Sequence, residues 1–160
     1  MKRARRFVLF PVLFLGMTVA SNTDVTELVT FHPLANPLAW TLGDKPSYLV
    51  VTEKNWPSYY SSQPKGADFA ANIYIIVSLG LKPNPGYTVR IFQLQQKAEL
   101  INVKLELGEP DPNKFYIQIM VKPIAVAEVP KANLKLMKQL SFVFVDQKGK
   151  ELATVKTEIP

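Results

Sequence analysis

Chemistry in a chain of this kind needs titratable or nucleophilic side chains at usable spacing, and few are present. His32 is the only histidine and there is no cysteine. One histidine without cysteines does not make a usual zinc set, and no serine and aspartate are spaced around it as a triad. It reads as a loop or edge residue. Asp68 and Glu106 are candidate carboxylates for glycoside chemistry, but no pattern pairs them. Glu109 and Asp111 lie in Gly108-Glu109-Pro110-Asp111-Pro112-Asn113-Lys114. Two carboxylates between prolines lack the ligand count of a calcium loop, so this is a turn. No Gly-x-Ser-x-Gly, phosphate loop or His-Glu-x-x-His occurs. The sequence therefore predicts no catalytic residue, no metal ligand and no cofactor site.

Two groups suit binding better than catalysis. Trp56, Tyr59 and Tyr60 could stack on a sugar, as in a cell-envelope carbohydrate-binding module. Packing of these rings onto a sheet is the reading preferred here. Lys82-Pro83-Asn84-Pro85-Gly86-Tyr87 is the other. Pro83 and Pro85 fix φ and remove two backbone donors, so the loop is stiff and loses little entropy on binding. Lys82 to Tyr87 is thus the candidate partner-binding site, with a structural turn as the alternative.

The loop sits inside the central stretch, Asn72 to Leu94. Ile73 to Leu79 is apolar and β-branched, as in a strand buried on both faces. Tyr87 to Leu94 has Tyr87, Val89 and Ile91 on one side and Thr88 and Arg90 on the other. A hairpin joining these two strands is the simplest expectation, with Gly80 and Gly86 free to take positive φ at its ends. Further strands are expected within Val25 to Phe31, before the breaks at His32-Pro33 and Asn36-Pro37, and at Tyr48 to Val51. Ile101 to Leu107 and Phe115 to Val121 alternate as amphipathic strands. Lys122 to Pro130 is extended, and Pro123 at its start suggests an edge or a bend. Phe142 to Val145 and Leu152 to Val155 flank Asp146-Gln147-Lys148-Gly149-Lys150 as a closing hairpin. A short helix is predicted from an N-cap at Thr52 to about Tyr60, and weak helical spacing marks Ala132 to Leu140. The fold class is mainly β with one or two short helices (α+β), as an antiparallel sheet or a small sandwich or barrel.

The first twenty residues read as a leader. Met1 to Arg6 is basic, Phe7 to Val19 is mostly apolar, and Ala20 precedes Ser21 as a small residue at a cleavage point. The apolar run is short for a membrane span, although a retained anchor is the alternative. Without a cysteine there is no lipobox. The expected product is exported to the cell envelope or beyond, with residues 21–160 as one β-rich domain. Removing Lys2, Arg3, Arg5 and Arg6 leaves 15 of 19 cations against 13 acids, so the formal charge falls from +6 to +2. No basic stripe remains to neutralise phosphates, which argues against a nucleic-acid partner.

From Tyr48 to Pro130 the sequence resembles the C-terminal domain of PrcB-type protease-complex subunits. A strand and a following tryptophan are matched by Tyr48 to Val51 and Trp56. An Asp-Phe pair before an apolar strand is matched by Asp68-Phe69 and Ile73 to Leu79. The glycine, proline and Gly-Tyr positions that follow are matched by Gly80, Pro83, Gly86 and Tyr87. Lys122-Pro123 through Val129-Pro130 match the later strand. Asn84-Pro85-Gly86 stands where the family often has a Gly-Gly pair. The resemblance implies a non-catalytic subunit that binds and stabilises an exported protease.

Overall fold

The computed structural model describes residues 25–35, 42–135 and 138–159. The leader, the Asn36-Pro37 break and Met137 of the weak helical pattern lie outside them. Among the described residues nine strands form two sheets. They are β1 (Glu27–Val29), β2 (His32–Pro33), β3 (Ser47–Val51), β4 (Asn72–Ser78), β5 (Thr88–Lys97), β6 (Leu100–Gly108), β7 (Ile124–Pro130), β8 (Gln139–Val145) and β9 (Glu151–Glu158). One sheet has the order β1-β5-β6-β8-β9 and the other β2-β7-β4-β3. Every pairing is antiparallel except β6 with β8.

The sheets pack face to face as a sandwich. Val50, Ile73, Ile75, Val77, Ala127 and Val129 point inward from the four-stranded sheet. They meet Ile91, Leu94, Ile101, Val103, Phe142 and Phe144 from the other. Tyr48 bridges the layers, with its ring 5.2 Å from that of Phe144. The outer face of β4 is also buried. Tyr74 and Ile76 pack there with Val51, Phe69 and Val126, and Trp56 and Tyr60 add partial cover. This double burial is why β4 carries apolar residues at almost every position instead of alternating.

The central hairpin expected from the sequence does not form. β4 and β5 lie in different sheets, and residues 79–87 carry the chain from one to the other. Pro83 and Pro85 cannot donate to a ladder, so pairing with β4 stops before them. Gly80 takes φ +69°, and a Cβ on it would lie 2.5 Å from the Asp44 carbonyl oxygen. Gly86 keeps negative φ, contrary to expectation, and is small for a different reason given below.

Other expectations change in detail. The predicted helix from Thr52 is one 3₁₀ turn, Trp56–Ser58, with Pro57 inside it. Asn55, not Thr52, ties it down: its Oδ1 accepts from Thr52 N–H at 2.7 Å and its Nδ2 donates to the Val50 carbonyl at 2.9 Å. Ala132 to Leu140 contains part of a second 3₁₀ turn, Lys131–Asn133, and then enters β8. β7 is an interior strand between β2 and β4, with Pro123 and Pro130 at its limits. His32-Pro33 is not a break but the short edge strand β2, a position that tolerates proline. The β8–β9 hairpin forms as read, with Gly149 at φ +80°.

The largest departure concerns Phe115 to Val121. Despite its alternation, only Val121 pairs, through a single antiparallel bridge to Lys82. Phe115, Ile117, Ile119 and Met120 are exposed.

Candidate protein-binding site

The Lys82 to Tyr87 loop leaves one end of the sandwich where β4 and β7 run past their sheet. The Leu79 N–H donates to the Pro123 carbonyl at 3.0 Å. Lys82 and Val121 exchange N–H to carbonyl bonds of 2.8 and 2.9 Å. Asp44 secures the base from the other side: its carbonyl accepts from Leu81 N–H at 2.9 Å, and its carboxylate meets Lys122 Nζ at 2.9 Å. The Lys122 ammonium also donates to the Leu42 carbonyl at 2.8 Å.

The loop beyond Lys82 is built from its own residues. Lys82 Nζ lies 5.3 Å from the centre of the Tyr87 ring, within cation–π range. Asn84 Oδ1 accepts from Gly86 N–H at 3.0 Å, closing an Asx turn across Pro85. Gly86 presses against the 109–116 turn. A Cβ there would lie 2.9 Å from both Pro110 Cα and the Tyr116 ring. The Tyr116 hydroxyl in turn accepts from Asp111 N–H at 3.1 Å. Pro83 and Pro85 face solvent on this buttressed frame.

Of the six consecutive candidate residues, Pro83 and Pro85 are exposed, while Lys82, Asn84, Gly86 and Tyr87 are half-buried and make the loop's internal contacts. Sequence reasoning missed the surface beside them. Leu81, Phe115, Ile117, Ile119 and Met120 are all more than two-fifths exposed, and Phe115 is fully so. Large apolar side chains left in water are the kind of surface that protein contacts use. The available signal was the position of Phe115 to Val121. It is an apolar alternating run between Pro112 and Pro123, prolines that limit how far it can join the sheet.

The other candidates separate. Trp56 stacks on Phe69 with ring centres 5.7 Å apart and planes 4° from parallel, and Phe69 meets Tyr74 edge-on at 5.2 Å. Trp56 and Tyr60 belong to the outer-face core, so these aromatics do not form a sugar platform. Burial pushes the Tyr60 hydroxyl up to about 12, with a smaller contribution from Tyr59. Asp68 caps the entry to β4, its Oδ1 accepting from Ala70 and Ala71 N–H at 3.1 and 3.2 Å. The Tyr74 hydroxyl donates to Glu128 at 2.9 Å and accepts from Asp68 N–H at 2.9 Å. Burial is the main reason its pKa is raised. Glu106 is on the opposite sheet, paired with Arg90. Asp68 and Glu106 therefore do not form a catalytic pair. Asp111 serves its own turn by accepting from Asn113 N–H at 2.9 Å. Among the described residues no cluster of three or more His, Cys, Asp or Glu side chains is placed to hold a metal ion. Among them, too, no helix is long and apolar enough to cross a membrane.

No curated protein and no solved structure matches the chain significantly. Residues 73–130 do match a family model, the one described as PrcB C-terminal, so the segment from β4 through β7, which holds both the loop and the uncovered apolar run, carries the pattern of that family.

Proposed function

We propose that this chain is an exported, non-catalytic protein-binding domain that acts as a stabilising or regulatory subunit of a protease complex. The observation that carries this reading is the prebuilt loop at Lys82 to Tyr87 beside uncovered apolar side chains at one end of the sandwich. A frame fixed by Asn84, Gly86, Pro110 and Tyr116 has little conformational freedom left to lose when a partner docks. The family match points to a protease complex in general terms, and an exported protease is the partner proposed here.

The test uses a variant carrying Lys82→Ala, Asn84→Ala and Pro85→Ala together. Pro85 is exposed, and Lys82 and Asn84 are half-buried and hold only the loop itself, so the loss of stability should stay on the order of 0.5–1 kcal/mol each and leave the two sheets intact. The variant should keep its circular dichroism spectrum and lose capture of the envelope protease that the wild type retains. Undiminished capture would place the interface elsewhere and overturn this assignment of the loop.

Export is proposed on the order basic, apolar, small within residues 1–20. The intact mass of the protein recovered from outside the cytoplasm should correspond to a chain starting at Ser21. A mass retaining Met1 to Ala20 would replace secretion by anchoring through the leader.

A further inference from the structure

We propose that the outer face of the β5–β6 hairpin is a shallow binding site for a neutral pyranose sugar, formed by Arg90, Phe92, Glu106 and Gln147. A cavity of about 410 Å³ opens there, within the size range of small-molecule sites. None of its lining residues belongs to the Lys82 to Tyr87 loop or to the 115–120 segment, so the site is independent of the protein partner.

The site grows out of the pairing of two strands. Thr88 and Arg90 face outward on β5, opposite Gly108 and Glu106 on β6. Alternation places Phe92 on the same side, about 7 Å farther along the strand. Phe92 is the extra residue of the bulge, so it has no partner across the ladder and stays 42% exposed. Arg90 donates through Nε and Nη2 to Glu106 Oε2, at 2.9 Å for Nε. An ion pair this exposed adds little stability. It does set a planar fork of donors beside a carboxylate, with Arg90 Nη1 and Glu106 Oε1 left unused among the described residues.

Gln147 reaches over from the β8–β9 turn and closes the other side. Its Oε1 accepts from Leu107 N–H and its Nε2 donates to the Leu107 carbonyl, both at 3.0 Å. The backbone thereby orients the amide, which keeps one N–H and one lone pair to offer. Gly108 shapes the floor. Its φ is not left-handed and no bulge falls at it, so the backbone itself does not call for glycine. A Cβ there would lie 2.1 Å from Thr88 Oγ1. The missing side chain lets the Thr88 hydroxyl lie across β6 at the cavity, the kind of close approach that glycine in a strand permits.

These groups define the ligand class. Arg90 and Glu106 cancel, so the site favours neither anions nor cations. Gln147 takes both backbone groups of Leu107, so an extended peptide finds no ladder to join there. What remains is an aromatic ring beside fixed donors and acceptors. A pyranose has the matching surface. Its apolar face of C–H groups lies on the Phe92 ring, and its vicinal hydroxyls pair with the guanidinium, the carboxylate and the amide.

Amide NMR titration of the isotope-labelled protein tests this, with cellotetraose and chitotetraose as separate probes. Both are pyranose chains, and only the second is N-acetylated. At up to roughly 10 mM, at least one should saturably shift the backbone amides of Arg90, Phe92, Leu107 and Gly108 and the Gln147 side-chain amide. A response to chitotetraose alone would assign an acetamido sugar, and a response to cellotetraose would assign ring hydroxyls as sufficient. Phe92→Ala and Arg90→Ala, at exposed positions, should keep the wild-type spectrum elsewhere and each weaken binding about tenfold. No saturable shift at these positions with either sugar would overturn the proposal. Undiminished affinity in both variants, or shifts gathered on another face, would also overturn it.

Discussion

Ile75→Asp should remove most of the stability of the fold. Ile75 is fully buried between Val50 on β3 and Ala127 on β7, and its side chain enters the space between the sheets. The substitution removes an aliphatic side chain that fills the core. It also introduces a carboxylate with no cation or donor within the apolar cluster. Loss of the packed side chain alone costs roughly 2–5 kcal/mol. A buried charge without a partner adds a penalty of roughly 3 kcal/mol or more, unless the group protonates. Against a typical total of about 5–15 kcal/mol, most of the stability is gone. Ile75→Val, by comparison, should cost about 1 kcal/mol. Urea unfolding monitored by circular dichroism measures both. Equal midpoints for Ile75→Asp and the wild type would show that β4 is not the centre of the sandwich.

Phe69→Ala should be the second most damaging change, with a loss of about 3–4 kcal/mol. Phe69 is almost fully buried outside the main core, between the flat face of Trp56 and the edge of Tyr74. Its removal opens a cavity under the 52–71 segment and uncovers the outer face of β4. Since that face carries Tyr74 and Ile76, the segment should loosen before the sheets separate. Hydrogen exchange should thus speed up at Trp56 to Tyr60 while the β5–β6 amides stay protected. Uniform acceleration across both sheets would contradict a separate outer-face core. The Trp56 and Asp68-Phe69 positions, which precede the matched residues 73–130, are accounted for by this packing. Trp56 and Phe69 build the second cluster, and Asp68 caps the turn into β4.

What was legible depended on whether a residue's neighbours were local. The apolar run at Ile73 to Val77 disclosed double burial because no solvent-facing strand tolerates it. Ile101 to Leu107 disclosed its inner face through strict alternation, and β6 buries Ile101, Val103 and Leu105. On β5 the same rule holds through Ile91 and then changes phase. A bulge at Phe92 restores the inward direction at Leu94 and leaves Phe92 partly exposed. Nothing in the residue types from Ile91 to Gln93 marks that extra residue. The sheet to which β5 belongs was likewise hidden. The two prolines announce that the ladder stops, not that the chain crosses to the opposite layer. Phe115 to Val121 has all the local marks of a strand, but a strand needs a neighbour, and beyond the end of β4 the chain offers one only at Lys82, before Pro83.

The same distinction applies to the site. The stiffness of Lys82 to Tyr87 was written in Pro83 and Pro85. The buttress of Pro110 and Tyr116 against Gly86 joins residues more than twenty positions apart and became visible only in the structure.

Site-specific photo-cross-linking in the producing cells tests the central claim most directly. A photoreactive residue in place of Pro85 should give a covalent adduct with the proposed protease partner, whereas one in place of Thr154, on the edge strand β9 of the other sheet, should give none. An adduct from the Thr154 position with none from Pro85 would contradict the assignment of this loop as the partner-binding face.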